Sequence, residues 1–563
     1  MGISSSKLEH SAIMNATCGP VRGISYNIDG KFVNGFLGIP YAKPPIGELR
    51  FKKPVAHEVW TEPRDCFRFG LRAPQNDELI GQFMNHVGKS EAHCLNLNVF
   101  APSWHSPSGF PVMVFIHGGG FAVHSSSNYG SVSVARNLCV KDVVVVTINY
   151  RLGLLGFMST GDDVCRGNLG LWDQTMALEW VRDHIRCFGG DPTNVTIFGQ
   201  SAGGASVDLL CLSPHSRDLF QRAIPMAGNG ECYFAVRTAE QQAALTKEYA
   251  RYLGWKGDDD DTVDLMRFFN AEPLYKLEMG LNPKRGFRHS QQGNLYFVPN
   301  FDGEFFPRPL DELRKEAPKK SLMTGTTKYE GLFFVGLGAI SRTHDGFKRF
   351  ARQIFKPCDY GGHADEIQRM VYDYYMKGVN PKNSHQMAHQ IVKFLGDYSI
   401  NYGTYRLAKS MSDYGNTVYF YSFEHFNPHG FGVFKWMLPF LGATHCTELR
   451  YVLGKGVISK FRPDERDKAM IETMTTFFTN FAKYGDPNPP GTQQWLPHDP
   501  NEPFKHFKID FDNCAMHDDY QDRRLLFWDE IHAKNRYPLA TLSSLLSFFF
   551  VFQRVVVIKV YWI

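Results

Sequence analysis

The sequence predicts an α/β fold built on one large, mostly parallel twisted central sheet flanked by helices. Two observations carry this. Continuous apolar runs of the kind buried on both faces, Pro111-Val-Met-Val-Phe-Ile116 and Val143-Val-Val-Val-Thr-Ile-Asn149, alternate with helical patterns. Between Gly170 and Cys187, Leu171, Trp172, Met176, Leu178, Trp180, Val181 and Ile185 recur at helical spacing, and Val195-Thr-Ile-Phe198 follows as a further strand. Strand, helix and strand in that order build a parallel sheet. Ser321–Thr324 and Val418–Ser422 read as later strands, and roughly 230 to 420 is richer in helical patterns that cover one end of the sheet. The acidic run Asp258–Asp261 reads as a solvated loop or helix start.

Composition narrows the function. With 563 residues, 43% hydrophobic and 21% charged, the chain is globular rather than disordered or collagenous. Length at about 150 residues per domain suggests three or four domains, a prior that one large α/β domain with insertions can break. Lys+Arg 61 against Asp+Glu 57 leaves +4, too small a surplus for the phosphate-neutralising surface of a nucleic-acid binder. The eleven cysteines are an odd number, and no CxxC or Cys/His cluster has zinc-ligand spacing, so no metal site is expected and at least one thiol stays unpaired within a monomer.

The ends carry separate signals. Met-Gly-Ile-Ser-Ser-Ser-Lys matches M-G-x-x-x-[ST] with Gly2 as a candidate myristoyl acceptor, and no apolar h-region follows, so the sequence predicts a cytosolic start with sequons at Asn15 and Asn194 unused. One acyl chain gives only marginal membrane binding. The run Leu539–Phe552 is 14 residues long, shorter than a spanning helix, and Arg554 and Lys559 interrupt the apolar residues beyond it. It reads as a tail that anchors on a membrane or as an extension beyond the globular fold. The domain plan is therefore a flexible N-terminus over 1–15, one large globular domain over 16–535 and an apolar tail over 536–563.

Gly199-Gln200-Ser201-Ala202-Gly203 is a GxSxG motif. Glycines on either side permit a sharp turn that lifts the serine hydroxyl clear of a sheet. The motif follows the Val195–Phe198 strand and precedes a run of small residues, the strand-turn-helix context it needs. Upstream, His117-Gly118-Gly119-Gly120 follows the strand ending at Ile116, where bare backbone N–H groups can converge on a developing oxyanion. No Gly-Lys-Ser/Thr follows, which excludes a P-loop. Together the two motifs point to a serine hydrolase.

With these motifs the chain resembles the type-B carboxylesterase and cholinesterase family, most closely the nematode carboxylesterases. The likeness runs to about Trp528 through Phe36-Leu-Gly-Ile-Pro-Tyr-Ala-Lys-Pro-Pro45, Asn96-Leu-Asn-Val-Phe100, Asn149-Tyr-Arg-Leu-Gly-Leu-Leu-Gly-Phe157 and Gly167-Asn-Leu-Gly-Leu-Trp-Asp-Gln174. It implies an α/β-hydrolase fold with a single large domain, because the motifs are spread from about 110 to 445.

In that fold the triad order is Ser, acid, His. Glu330 sits in a loop after the strand near Leu322–Thr327, and the family acid lies in just such a Glu-Gly pair. His363, His385, His389, His425, His429 and His445 all lie downstream of Glu330, and the residues alone do not choose among them. The resemblance does: Gly442-Ala-Thr-His445-Cys-Thr-Glu448 looks like the family's base loop. It implies acyl transfer by Ser201, His445 and Glu330, with the N–H groups of Gly119, Gly120 and Ala202 as oxyanion hole, and no cofactor.

The resemblance also makes Cys66 and Cys94 a candidate disulfide, reduced if the chain is cytosolic. Ala92-His93-Cys94 replaces the usual Glu-Asp-Cys, which bears on a family salt bridge nearby. Gln200 stands where cholinesterases carry Glu, and no Trp lies between Cys66 and Cys94, so the expected substrate is a small carboxylic ester other than choline's. A neutral-lipid lipase and a non-catalytic adhesion relative are the alternatives. Peripheral membrane association through the termini is the only further partner expected.

Overall fold

The structure, a computed structural model, describes residues 9–77, 87–280, 287, 295–456 and 461–534. Gly2 and the tail 536–563 lie outside the described residues. Thirteen strands are described: β1 Glu9–Ala16, β2 Gly19–Ile28, β3 Lys31–Pro40, β4 Arg64–Asp65, β5 Asn96–Pro102, β6 Phe110–Ile116 and β7 Val144–Ile148 come first. They are followed by β8 Gly190–Gln200, β9 Arg222–Met226, β10 Ser321–Thr327, β11 Val418–Phe423, β12 His506–Ile509 and β13 Ala515–His517. They form one sheet in the order β1-β2-β3-β5-β7-β6-β8-β9-β10-β11-β12-β13, with β4 beside β2.

From β7 to β12 every pairing is parallel; β1, β2, β3 and β5 on one flank and β13 on the other are antiparallel. The apolar runs explain the parallel part. Val112, Val114, Ile116, Val144, Val146, Ile148, Val195 and Ile197 point into the core on one face, and Met113, Phe115, Val143, Val145 and Phe198 into the core on the other. A strand covered on both faces has no polar alternation to show. On the first face lie α1 (Leu169–His184) and α2 (Ala202–Leu212); α3 (Glu330–Gly336) and α4 (Ser384–Gly396) belong to the helical region beyond β10; α5 (Glu465–Tyr484) covers the second face with Met470, Met474, Phe477, Phe478 and Phe481.

The two cysteines do not form a disulfide. Cys66 follows β4, its N–H bonded to the Arg22 carbonyl and its own carbonyl to the Leu37 N–H, and the charged groups it meets are Arg64 and Asp65. Cys94 donates to the Glu91 carbonyl at 3.3 Å among Arg151, Asp173 and Glu91. Both are buried free thiols in different surroundings, and burial pushes each up to about 12, which makes them poor nucleophiles. The salt bridge in this region is present: Arg50 clasps Glu91 with Nε to Oε1 at 2.6 Å and Nη2 to Oε2 at 2.8 Å. Among the described residues no helix is long and apolar enough to cross a membrane.

A buried ion pair ties the fold to the glycine run. Asp173 on α1 accepts from Arg151 Nε at 2.8 Å, Nη2 at 2.6 Å and N at 3.0 Å, while Arg151 Nη1 reaches the carbonyls of Arg50 and Lys52. The next residue back, Tyr150, donates to the His117 carbonyl at 2.7 Å and stacks on the His117 ring. Removing one partner strands a buried charge, so Asp173→Ala is expected to lower the unfolding free energy by about 3–5 kcal/mol, measured by urea titration. Wild-type stability in that variant would refute the role given to the pair.

Candidate active site

The sheet reverses its order between β6 and β8: β6 is followed leftward by β7, β8 rightward by β9. At such a switch point the loops after the strands part and leave a crevice at their carboxyl ends. Register sets Ile116 beside Gly199, so the glycine run after β6 starts level with the serine turn after β8.

Ser201 adopts φ 61°, ψ −126°, a strained conformation for a residue with a side chain. Missing Cβ atoms make it possible. A Cβ on Gly199 would lie 2.5 Å from the Gly203 carbonyl oxygen, one on Gly203 would collide with that of Ile116, and one on Gly228 with that of Ser201 itself. The Ser201 N–H bonds the Met226 carbonyl at 2.9 Å, and its own carbonyl accepts from Ala205 in the first turn of α2. The helix therefore begins at Ala202, which directs the N-terminal end of its dipole toward the turn. Gly118 packs so closely over this turn that a Cβ there would strike the Gln200 carbonyl, and Gly119 and Gly120 follow with φ 104° and 62°.

Glu330 is the first residue of α3, not a loop residue, and is fully buried. Its Oε1 accepts from the Thr327 N–H at 2.7 Å and the Thr327 hydroxyl at 2.9 Å; its Oε2 is 2.6 Å from His445 Nδ1. Close helix packing holds it: a Cβ on Gly331 would strike the Val392 carbonyl of α4. The histidine loop is stitched to the same segment. The Tyr329 N–H bonds the Ala443 carbonyl at 2.9 Å, and Thr444 Oγ1 donates to the Tyr329 carbonyl and accepts from the Phe333 N–H, both at 2.8 Å. Phe333 and Phe334 flank the His445 ring, with centroids 6.0 and 5.1 Å away.

The structure thus joins Glu330 to His445 and sets the serine turn against the same ring. Gln200 Nε2 lies 3.3 Å from both His445 nitrogens. The lone-pair directions of an imidazole diverge, so a group equidistant from both lies against the ring rather than along either direction. Gln200 Oε1 accepts from the Cys446 thiol at 3.1 Å, which fixes the carboxamide there. The Ser201 hydroxyl has no hydrogen-bond partner among the described residues; such bonds often tighten only when substrate binds.

Two residues that sequence reasoning left unused, His124 and Glu448, border this site. Glu448, the acid three residues after His445, is buried, and its Oε2 has no partner among the described residues. Burial, reinforced by nearby Glu330 and opposed by His445, pushes its carboxyl up to about 8. The folded protein therefore keeps a proton that the unfolded chain has lost between about pH 4.5 and 8, so this group makes stability fall as pH rises across that window. Urea unfolding of wild type at about pH 5, 6 and 7.5 is expected to reveal this component, up to ~1.4 kcal/mol per pH unit, and Glu448→Gln to remove it. An identical pH slope in the variant would contradict the assignment.

Comparison with known proteins identifies the family. The family model described as the Carboxylesterase family matches residues 10–528. The chain is 48% identical over 529 residues to Esterase cest-33 of Caenorhabditis elegans, covering 92% of this chain and 94% of that protein. It is 31% identical to the medium-chain fatty acyl-CoA hydrolase precursor of Anas platyrhynchos, over 91% of each, and 32% identical to the cholinesterase of Mus musculus, over 88% and 82%.

Proposed function

The chain belongs to the carboxylesterase family and is a carboxylic ester hydrolase, and from that premise we propose that Ser201, His445 and Glu330 form its catalytic triad, with Gly119, Gly120 and Ala202 as the oxyanion hole. The observation that carries the proposal is the 2.6 Å contact of Glu330 with His445 Nδ1 beside the strained serine turn. A proton on Nδ1 leaves Nε2 as the basic nitrogen. His445 then takes the Ser201 proton as the hydroxyl attacks the ester carbonyl. Charge moves to the carbonyl oxygen, where the helix N-terminus and the glycine N–H groups stabilise it. His445 returns the proton to the leaving alcohol, and water repeats the sequence on the acyl-enzyme. Glu330 orients the ring and stabilises the imidazolium.

We further propose that the substrate is an uncharged ester. Gln200 sets a neutral carboxamide, not a carboxylate, against the His445 ring next to the nucleophile in sequence, and the rings of Phe333 and Phe334 give the space beside the base an apolar wall.

Ser201→Ala is expected to abolish organophosphate labelling and the turnover of short p-nitrophenyl esters; retained activity would end the proposal. Glu330→Gln is expected to lower kcat by roughly 10³–10⁴ with little change in KM, since it loses control of the His445 tautomer while keeping the fold. Assaying thiocholine esters and emulsified long-chain glycerides alongside tests the substrate class: a thiocholine ester that surpasses the neutral short ester in kcat/KM overturns it, and a glyceride that does so marks the enzyme as a lipase acting on uncharged esters.

A further inference from the structure

Beyond the glycine run the backbone takes a costly path. Phe121 and His124 both have positive φ, 57° and 84°. His124 is clamped there by Gln75, whose Oε1 accepts from the His124 N–H at 2.8 Å and whose Nε2 donates to the His124 carbonyl at 2.9 Å. A non-glycine residue held in this region needs surroundings that over-determine it, and strain of this kind gathers at functional sites.

Two contacts lead from the buried His124 ring to the glycines. Its Cδ2 would lie 2.9 Å from a Cβ on Gly119, so the ring rests directly on that residue. Its Nδ1 is 3.2 Å from the Tyr129 hydroxyl. The Gly118 backbone in turn hydrogen-bonds the Tyr129 phenol in the sense that favours its charged form, which an N–H donor does. In the tautomer that carries its proton on Nε2, the order of donation is Gly118 N–H to Tyr129 Oη and Tyr129 O–H to His124 Nδ1. Burial, with His117 and Arg72 adding to it, pushes the His124 imidazole down to about 3, so the ring is neutral and can accept.

We propose that His124 is a positioning residue of the oxyanion loop: its ring, and the relay through Tyr129 to Gly118, hold Gly118–Gly120 in the conformation that presents the Gly119 and Gly120 N–H groups to the reacting oxygen. This rests on the reading of those amides as the oxyanion hole. Three successive glycines have no conformational preference of their own to keep their donors aligned, and donors that must reorganise during reaction contribute little.

The test uses the full-length enzyme and p-nitrophenyl acetate. His124→Gly suits the backbone and deletes the ring; His124→Asn tolerates the left-handed region and keeps an acceptor for Tyr129. The expected result is a kcat lowered about 10- to 100-fold in His124→Gly, the range for a weakened oxyanion donor, with KM changed less than about threefold. Added imidazole should recover part of the loss, and His124→Asn should lose less. If His124→Gly does not fold, Tyr129→Phe carries the same kcat and KM test. A kcat within about twofold of wild type overturns the proposal, as does a loss that neither imidazole nor the Asn variant mitigates. Activity surviving in Ser201→Ala would instead bring down the underlying catalytic reading.

Discussion

Everything at this site depends on one steric condition: main chain must approach main chain where a side chain would ordinarily stand. Ser201 sits in a backbone conformation that its own Cβ disfavours. It can stay there because Gly199, Gly203 and Gly228 let the end of β6, the start of α2 and the end of β9 close around it. Each glycine costs conformational entropy on folding. Offsetting that is the density of backbone hydrogen bonding, from Ser201 to Met226 and from Ala205 to Ser201, which a looser turn could not make. The strain is thus carried by the whole parallel sheet, not by the turn alone.

The same close approach recurs at the other two corners. Gly118 seats the glycine run on Gln200, and Gly331 seats α3 on α4. Where the strands diverge at the β6/β8 switch point, three segments far apart in sequence are fixed against one another by backbone contacts, and the side chains inherit their positions. Glu330 illustrates the result. Thr327 donates to it twice from the end of β10, which leaves Oε2 as the oxygen that meets His445.

Much of this is legible in the residues, and what is not has physical causes. The apolar runs identify the parallel strands because two covered faces erase alternation. They do not reveal the antiparallel flank: β1 is largely exposed, and β5, though buried throughout, breaks its apolar run with Asn96 and Asn98. Glu330 reads as a loop residue because a short helix with Gly331 near its start lacks helical propensity; it is packing on α4 that makes it helical. Cys66 and Cys94 are linked only by resemblance, and the structure has both as free buried thiols. The partner of Glu330 cannot be chosen from the eleven histidines downstream of it without the resemblance, since a base is defined by a contact across 115 residues of sequence. His124 carries no signal, because nothing in a sequence announces a positive φ at a histidine.

Charge also shapes how the site discriminates. Three acidic positions could surround the base: 200, 330 and 448. In this chain position 200 is a carboxamide, and burial keeps Glu448 protonated toward neutral pH. That leaves Glu330, fully buried and committed to three hydrogen bonds. A single committed carboxylate can stabilise an imidazolium as the serine proton transfers, yet offers little field to a cationic substrate approaching from the nucleophile's side. Added negative charge at 200 would attract a cation but would also repel the developing oxyanion. The neutral carboxamide avoids that conflict, which suits acyl transfer to uncharged esters and leaves selection among them to shape and to the aromatic wall.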